Sequence, residues 1–202
     1  NSSLTYSSRC TTPFRRRTSL ALRRGFKAEA ERIATETWEA MNLEPGDRMD
    51  GVALAKHLGC SVHSASELVD IRDLQRLYDL QKNAFFACTF KFAGKRPAVV
   101  YNPLMDEPRR NSDVAHEAAH LCLDHQLSRL KRVGGVAFLS CDKTQEEEAS
   151  WLAGCLLLPR FALMHDLKRR LSQKNISEKR VLSTDMVAYR IRVTGAARQF
   201  RS

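Results

Sequence analysis

Apolar residues recur along most of the chain with helical spacing. Over residues 26–43 they return every three or four positions among charged side chains, which predicts an amphipathic helix ended by Pro45 and Gly46. Asp50 is placed as the N-cap of a short helix that Gly59 would close. The same spacing predicts further helices over residues 69–80, 111–123, 144–158, 161–171 and 184–193.

One stretch has the composition of a β-hairpin. Phe and Val are frequent over residues 84–92 and 96–101, and a turn at Gly94-Lys95 separates the two runs. Pro97 favours an edge strand, and residues 60–63 form a further short candidate strand. The chain is therefore predicted to be α+β, mostly helical, with a small sheet.

The length of 202 residues and the hydrophobic content of 43% predict one globular domain with its own core. The longest apolar run, at 155–158, is far shorter than the roughly 18 residues that a membrane span requires. We therefore expect a soluble protein without a membrane partner. Six cysteines occur without a C-x-x-C pair, which favours reduced thiols and a cytoplasmic location, with Cys122 and Cys155 as small core residues.

The net charge of +10 is concentrated towards both ends of the chain. Residues 1–27 contain seven basic residues and no acidic one, and residues 160–202 are also basic. The Ser, Thr and Arg content of residues 1–24 is that of a transit peptide or of a disordered tail, so the domain is predicted to comprise 25–202, with a helical C-terminal part from about 160. Basic segments can hold nucleic acid by charge alone, but solvated tails of this kind usually do not.

An H-E-x-x-H motif is formed by His116, Glu117 and His120. At about 3.6 residues per turn, both histidines lie on one face of a helix and can bind one metal ion. Hydrolytic zinc sites use two histidines and a carboxylate and leave one position for water. Glu117 is then placed as the general base that takes a proton from the attacking water.

A second segment favours this interpretation over a chance match of the motif. Glu146, Glu147 and Glu148 begin an apolar helix that ends at Pro159. One of these carboxylates can face inward as the third metal ligand. The alternative is that all three only stabilise the positive N-terminal end of the helix.

Together the two segments resemble the ImmA/IrrE family of metallo-endopeptidases. The resemblance rests on RRNSDVAHEAAHLCL at 109–123 and on EASWLA at 148–153 leading to LLP at 157–159, and it covers roughly residues 27–195. It implies a zincin-like domain with a hairpin beside the H-E-x-x-H helix, and Zn²⁺, or alternatively Mn²⁺, as the cofactor. The implied metal ligands are His116, His120 and Glu146, which stands thirteen residues before Pro159.

Two positions depart from the family's pattern. Ser150 stands where Asn or Asp is usual, and Ala119 stands where Gly is frequent. Neither residue is a ligand. Ser150 lies one turn after Glu146 and can still hydrogen-bond a metal-bound histidine, although a hydroxyl orients the ring less firmly than a carboxylate does.

This chemistry also calls for a group that stabilises the oxyanion. The candidates in the sequence are Tyr101, His125, His165 and Tyr189, and for each of them packing or surface exposure is the more common role. The edge of the hairpin is a further candidate for substrate binding, because an extended peptide can add to an exposed strand.

The resemblance implies a regulatory protease that cleaves a helix-turn-helix repressor of the Xre type and so derepresses stress or mobile-element genes. The rival interpretation is a DNA-associated regulator in which residues 179–201 form a basic helix-turn-helix element, with a recognition helix starting at Ser183 and Thr184. Several apolar residues leave that helix little polar surface for reading bases, so peptidase activity is favoured. A pseudo-enzyme is less favoured because the four site residues are intact.

Overall fold

The computed structural model describes residues 22–82, 84–91, 94–125, 129–133, 136–140 and 142–196. Its helices are α1 (Phe26–Ala40), α2 (Gly51–His57), α3 (Ile71–Leu80), α4 (Glu107–Cys122), α5 (Lys143–Leu157), α6 (Arg160–Lys168), α7 (Gln173–Arg180) and α8 (Thr184–Thr194). Its strands are β1 (Ser61–Ser64), β2 (Ala87–Phe90), β3 (Ala98–Tyr101), β4 (Arg129–Val133) and β5 (Val136–Ser140). The predicted mostly helical α+β class is confirmed.

Side-chain caps explain where several helices begin. Asp50 caps α2 as predicted, since its carboxylate accepts from the N–H of Ala53 at 2.8 Å. The H-E-x-x-H helix α4 begins at Glu107, earlier than predicted, because Asp106 accepts from the N–H of Arg109 at 2.8 Å. Pro108 fits the first turn, where no intrahelical N–H is needed. Helix α7 was not predicted, because it is strongly polar and Ile176 is its only buried apolar residue.

The first sheet has the order β1-β3-β2, with β1 parallel and β2 antiparallel to β3. The hairpin and the strand near 60–63 are confirmed, but the edge position inferred from Pro97 is wrong because β3 is the central strand. Pro97 precedes β3, and its carbonyl accepts from the N–H of Ser61 at 2.9 Å, so its missing N–H falls outside the paired residues. Within the described chain, β2 forms an edge of this sheet. A second hairpin, β4-β5, was not predicted.

Helix α5 lies at the centre of the core. Its residues Ala149, Leu152 and Leu156 are completely buried, and the helix packs against α1 and α4. Trp38 on α1 donates its indole N–H to the carbonyl of Leu156 at 2.7 Å. Arg190 on α8 donates to the carbonyl of Leu158 at 2.9 Å. The C-terminal end of α5 is therefore satisfied by side chains from both ends of the domain.

The C-terminal helices close this core. Met186 and Val187 on α8 are buried, and Arg190 is completely buried against Glu31, at an N–O distance of 2.5 Å. Asp166 on α6 is also completely buried and pairs with Arg180 on α7 at 2.7 Å. In the rival interpretation α8 is the helix that reads DNA. Its apolar face and Arg190 are instead buried in the core of the domain.

The four cysteines that the structure describes are free thiols. Cys60 and Cys155 are buried, and Cys88 and Cys122 are partly buried. Cys10 and Cys141 lie outside the described residues. No helix in the described ranges is long and apolar enough to span a membrane. Most of the predicted N-terminal tail, residues 1–21, and the end of the chain, 197–202, also lie outside them.

Candidate metal centre

The site forms where α4 packs against the start of α5. His116 and His120 stand one turn apart on α4, and Glu146 lies in the first turn of α5. Asp142 fixes that turn, because its carboxylate accepts from the N–H groups of Thr144 at 2.8 Å and Gln145 at 3.2 Å. The cap orients the first turn of α5 so that Glu146 faces the two histidines.

The donor atoms of these three side chains converge. His116 Nε2 lies 3.1 Å from His120 Nε2, and each oxygen of Glu146 faces one ring: Oε2 lies 3.3 Å from Nε2 of His116, and Oε1 lies 3.4 Å from Nε2 of His120. A tetrahedral zinc ion with ligands at about 2.0–2.1 Å holds its ligand atoms roughly 3.3 Å apart. Two imidazoles and one carboxylate at this spacing therefore fit the set expected of a hydrolytic zinc ion.

The charges in the site favour metal binding. Burial alone would raise the pKa of Glu146, but its hydrogen bonds and electrostatic attraction to His116 and His120 outweigh burial and lower the pKa to about 2. Burial likewise opposes the charged form of His116, but contact with Glu146 and the nearby Glu117 and Asp113 raise its pKa. The carboxylates of Glu146, Glu117 and Asp113 thus favour positive charge at this point, which a metal ion would supply once the imidazoles are neutral.

The structure also separates Glu146 from Glu148. Glu146 faces the histidines, whereas Glu148, two residues further along the helix, lies 3.4 Å from His125 and 3.2 Å from Arg23. At about 100° per residue, carboxylates two positions apart face nearly opposite sides of a helix. The structure thus places Glu146, the glutamate that the family resemblance implies, beside the two histidines.

Glu117 is held by the neighbouring sheet. Its Oε2 accepts a hydrogen bond of 2.6 Å from Thr89 Oγ1 on the edge strand β2. The sequence did not indicate Thr89, because it lies 28 residues away and a threonine in a strand is unremarkable. Its only signal is its place in the hairpin that the resemblance sets beside the H-E-x-x-H helix.

Both histidines make a further contact through Nδ1. Ser150 Oγ lies 3.4 Å from Nδ1 of His116, which is the contact expected from its position on α5. Nδ1 of His120 lies 3.0 Å from Nδ1 of His125. Each ring is thus contacted at both nitrogens. Nε2 faces the other donor atoms of the site, and the contact at Nδ1 helps to fix the orientation of the ring.

Asp113 stands one turn before Glu117 and pairs with Arg109 at 2.9 Å. Burial raises the pKa of Asp113 to about 6, although the Arg109 guanidinium opposes the shift. Arg109 also lies over the ring of Phe86, at 4.0 Å from its centroid. These contacts attach the first half of α4 to the segment that leads into β2.

The four oxyanion candidates lie in different places. Tyr101 lies under the guanidinium of Arg110. His165 lies beside Gly46. Tyr189 packs edge-to-face against Trp151. His125 reaches the site, but its two ring nitrogens face His120 and Glu148. That arrangement leaves His125 no free nitrogen for a substrate oxygen.

An H-E-x-x-H helix, a facing glutamate and an adjoining small sheet are the features of a metallopeptidase domain. A family model described as the IrrE N-terminal-like domain, peptidase M78, matches residues 67–192. The chain therefore belongs to this family, and the matched region contains the whole candidate site. No curated protein and no solved structure matches the chain significantly.

Proposed function

We propose that the protein is a zinc-dependent endopeptidase whose substrate is a helix-turn-helix repressor of the Xre type. The observation that carries the peptidase assignment is the convergence of His116, His120 and Glu146 at tetrahedral spacing, with Glu117 next to them on the same helix. Family membership supports the same activity.

His116, His120 and Glu146 are the proposed ligands. Imidazole donors favour Zn²⁺, whereas Mn²⁺ prefers oxygen, so zinc is the metal that this set fits best and Mn²⁺ is the alternative. Zinc held by these three residues would lower the pKa of a water molecule and polarise the scissile carbonyl. Glu117 is the proposed general base, which takes the proton of the attacking water and returns it to the leaving amine.

The edge strand β2 is the proposed docking site for the substrate backbone. It carries Thr89, which hydrogen-bonds Glu117, so a peptide added along β2 would lie beside the base. Main-chain hydrogen bonds along an edge require an extended peptide. The scissile segment is thus expected to lie in a linker or an unfolded stretch of the repressor.

The choice of a repressor is supported by the resemblance to the ImmA/IrrE family, whose members act on such proteins. The proposed catalytic unit comprises residues 25–202, with residues 1–24 as a basic tail. We place it in the cytoplasm, where a repressor is found and where cysteines remain reduced.

Metal content tests the site itself. Purified wild-type protein, after dialysis without chelator, is expected to hold about one zinc per chain, as one three-ligand site per chain requires. His120→Ala and Glu146→Ala should lose it, while Glu147→Gln, a matched change of the neighbouring carboxylate, and Glu117→Gln should keep it. Wild-type protein that takes up no zinc, even when zinc is added, would overturn the proposal.

Cleavage is tested by new N-termini. A cell extract lacking the protein is incubated with the zinc-loaded wild type or with Glu117→Gln, and new α-amines are identified by mass spectrometry. Only the wild type should create them, and they should map to a repressor of the Xre type. Cuts confined to unrelated proteins would refute the substrate but not the peptidase, and equal cutting by Glu117→Gln would refute the role of the base.

A further inference from the structure

His120 is in contact through both of its ring nitrogens. Its Nε2 faces His116 and Glu146, while its Nδ1 lies 3.0 Å from Nδ1 of His125. Nε2 of His125 in turn lies 3.4 Å from Oε2 of Glu148. His125 is only 7% exposed and Glu148 only 8%, so water competes little for these contacts.

The end of α4 places His125 here. In the Schellman motif that ends the helix, the N–H of Asp124 donates to the carbonyl of Leu121 at 3.1 Å, and the N–H of His125 donates to that of His120 at 2.9 Å. Asp124 takes the required left-handed conformation, with φ 48°, which aspartate adopts more readily than most residues. The last turn of the H-E-x-x-H helix thus folds His125 back onto His120.

The proton positions in this row of groups are determined by the ligand role of His120. A neutral imidazole that uses Nε2 as a ligand carries its proton on Nδ1, so His120 donates to His125. His125 then accepts at Nδ1 and carries its own proton on Nε2. From there it donates to the carboxylate of Glu148, so every hydrogen bond in the row has one donor and one acceptor.

Glu148 is itself held on its other side. Its Oε1 lies 3.2 Å from Nε of Arg23, and that guanidinium also binds Glu29 at 2.6 Å. A buried carboxylate without a cationic partner would be costly. Arg23 is therefore the cationic partner of the carboxylate that faces His125.

We infer that His125 is a positioning residue that orients His120 for metal binding, with Glu148 and Arg23 as its support. The inference rests on the proposed metallopeptidase function. Histidine ligands commonly give their second N–H to a neighbour, and loss of that neighbour costs about 10–100-fold in metal affinity or activity. In this protein the neighbour is a second histidine, and Glu148 contributes as its hydrogen-bond acceptor rather than as a ligand.

Two substitutions separate this role from packing. In His125→Asn, the amide oxygen stands near the position of Nδ1 and can accept from His120, although the contact with Glu148 is lost. In His125→Gln, the amide nitrogen stands near the position of Nε2 and can donate to Glu148, but His120 loses its acceptor. The measurement is the Zn²⁺ dissociation constant by competition with a chromophoric chelator, together with the unfolding temperature of each metal-free variant.

His125→Gln should weaken zinc binding by about tenfold or more, whereas His125→Asn should remain close to wild type. Equal affinities in all three proteins, or equal losses in both variants, would overturn the inference. A wild type that binds no zinc would instead refute the proposed function, so the two failures are distinguishable.

The proton positions give a second readout that does not depend on activity. Nitrogen NMR of histidine-labelled, zinc-loaded protein should show His120 protonated at Nδ1 and His125 protonated at Nε2. A proton on Nδ1 of His125 would exclude it as the acceptor, and the inference would fail even if the variants bound zinc weakly.

Discussion

Thr89 Oγ1 donates a hydrogen bond of 2.6 Å to Oε2 of Glu117 and so joins the edge strand β2 to the H-E-x-x-H helix. The hydroxyl holds one carboxylate oxygen of Glu117 in place. Because strand and helix meet through these two side chains, any substrate that pairs with β2 is registered against the proposed base.

Thr89→Val should slow cleavage while leaving zinc content unchanged. A hydrogen bond to a charged group contributes roughly 1.5–3 kcal/mol, so losing the orientation of Glu117 should lower kcat by about tenfold or more. The measurement is steady-state cleavage beside metal analysis. Thr89→Ser keeps the hydroxyl and is the control, and a Thr89→Val protein as active as the wild type would show that Glu117 needs no such support.

Ser150→Asp should tighten zinc binding. The present hydroxyl lies 3.4 Å from Nδ1 of His116, which is long for a hydrogen bond, and a carboxylate is both longer and a stronger acceptor. An increase of about tenfold in affinity is expected from the usual effect of such partners. Chelator competition measures it, with Ser150→Ala as the opposite control. Weaker binding in Ser150→Asp would indicate that the serine is already the better partner.

The sequence contained most of the candidate site because its residues lie close together along helices. The spacing of His116 and His120 depends only on the helical repeat, and the resemblance to the ImmA/IrrE family, aligned at Pro159, implied Glu146 among the three glutamates. Thr89 and the pairing of His125 with Glu148 depend on how separate segments meet in space. No periodicity within one segment carries that information.

The fold shows the same difference between elements with a local sequence pattern and elements that depend on contacts between distant segments. Helices with an apolar face, such as α1 and α5, were predicted to within a few residues. The polar α7 has no such face, and it is stabilised by the pairing of Arg180 with Asp166 from α6. Pro97 does not mark an edge strand, because the N–H it lacks matters only within the paired part of a strand, and Pro97 lies just before that part.

Asp113 should make the stability of the metal-free protein depend on pH. Burial raises the pKa of its carboxyl from the usual 3.8 to about 6, so the folded protein binds this proton more tightly than the unfolded chain. Its contribution to stability is present below 3.8 and is lost as the pH rises through 6.

Asp113→Asn cannot ionise. Its unfolding free energy relative to wild type should therefore increase between acidic and neutral pH, by up to about 3 kcal/mol. Urea unfolding of chelator-treated proteins across this range measures the difference. Parallel pH profiles for the two proteins would mean that Arg109 already compensates the charge.

Gly51→Ala should destabilise the packing of α2 on α4. An added Cβ would lie 2.6 Å from the backbone carbonyl oxygen of Asn111, and neither backbone can yield easily. The expected loss is about 1–3 kcal/mol, measured by thermal unfolding. At Gly46 an added Cβ would meet only a ring carbon of His165 at 3.5 Å, so Gly46→Ala is the matched control and should unfold like the wild type.

The placement of α5 between α1 and α8 has a consequence for folding during synthesis. The contacts that hold its C-terminal end come from Trp38 and Arg190, and the pair Arg190–Glu31 joins residues 159 positions apart. Contacts between residues so far apart in the sequence form late, and proteins that depend on them fold slowly. During synthesis, the contacts that hold the C-terminal end of α5 cannot form until residue 190 has left the ribosome. The helix that carries Glu146 is therefore fixed at its C-terminal end only after α8 has been translated.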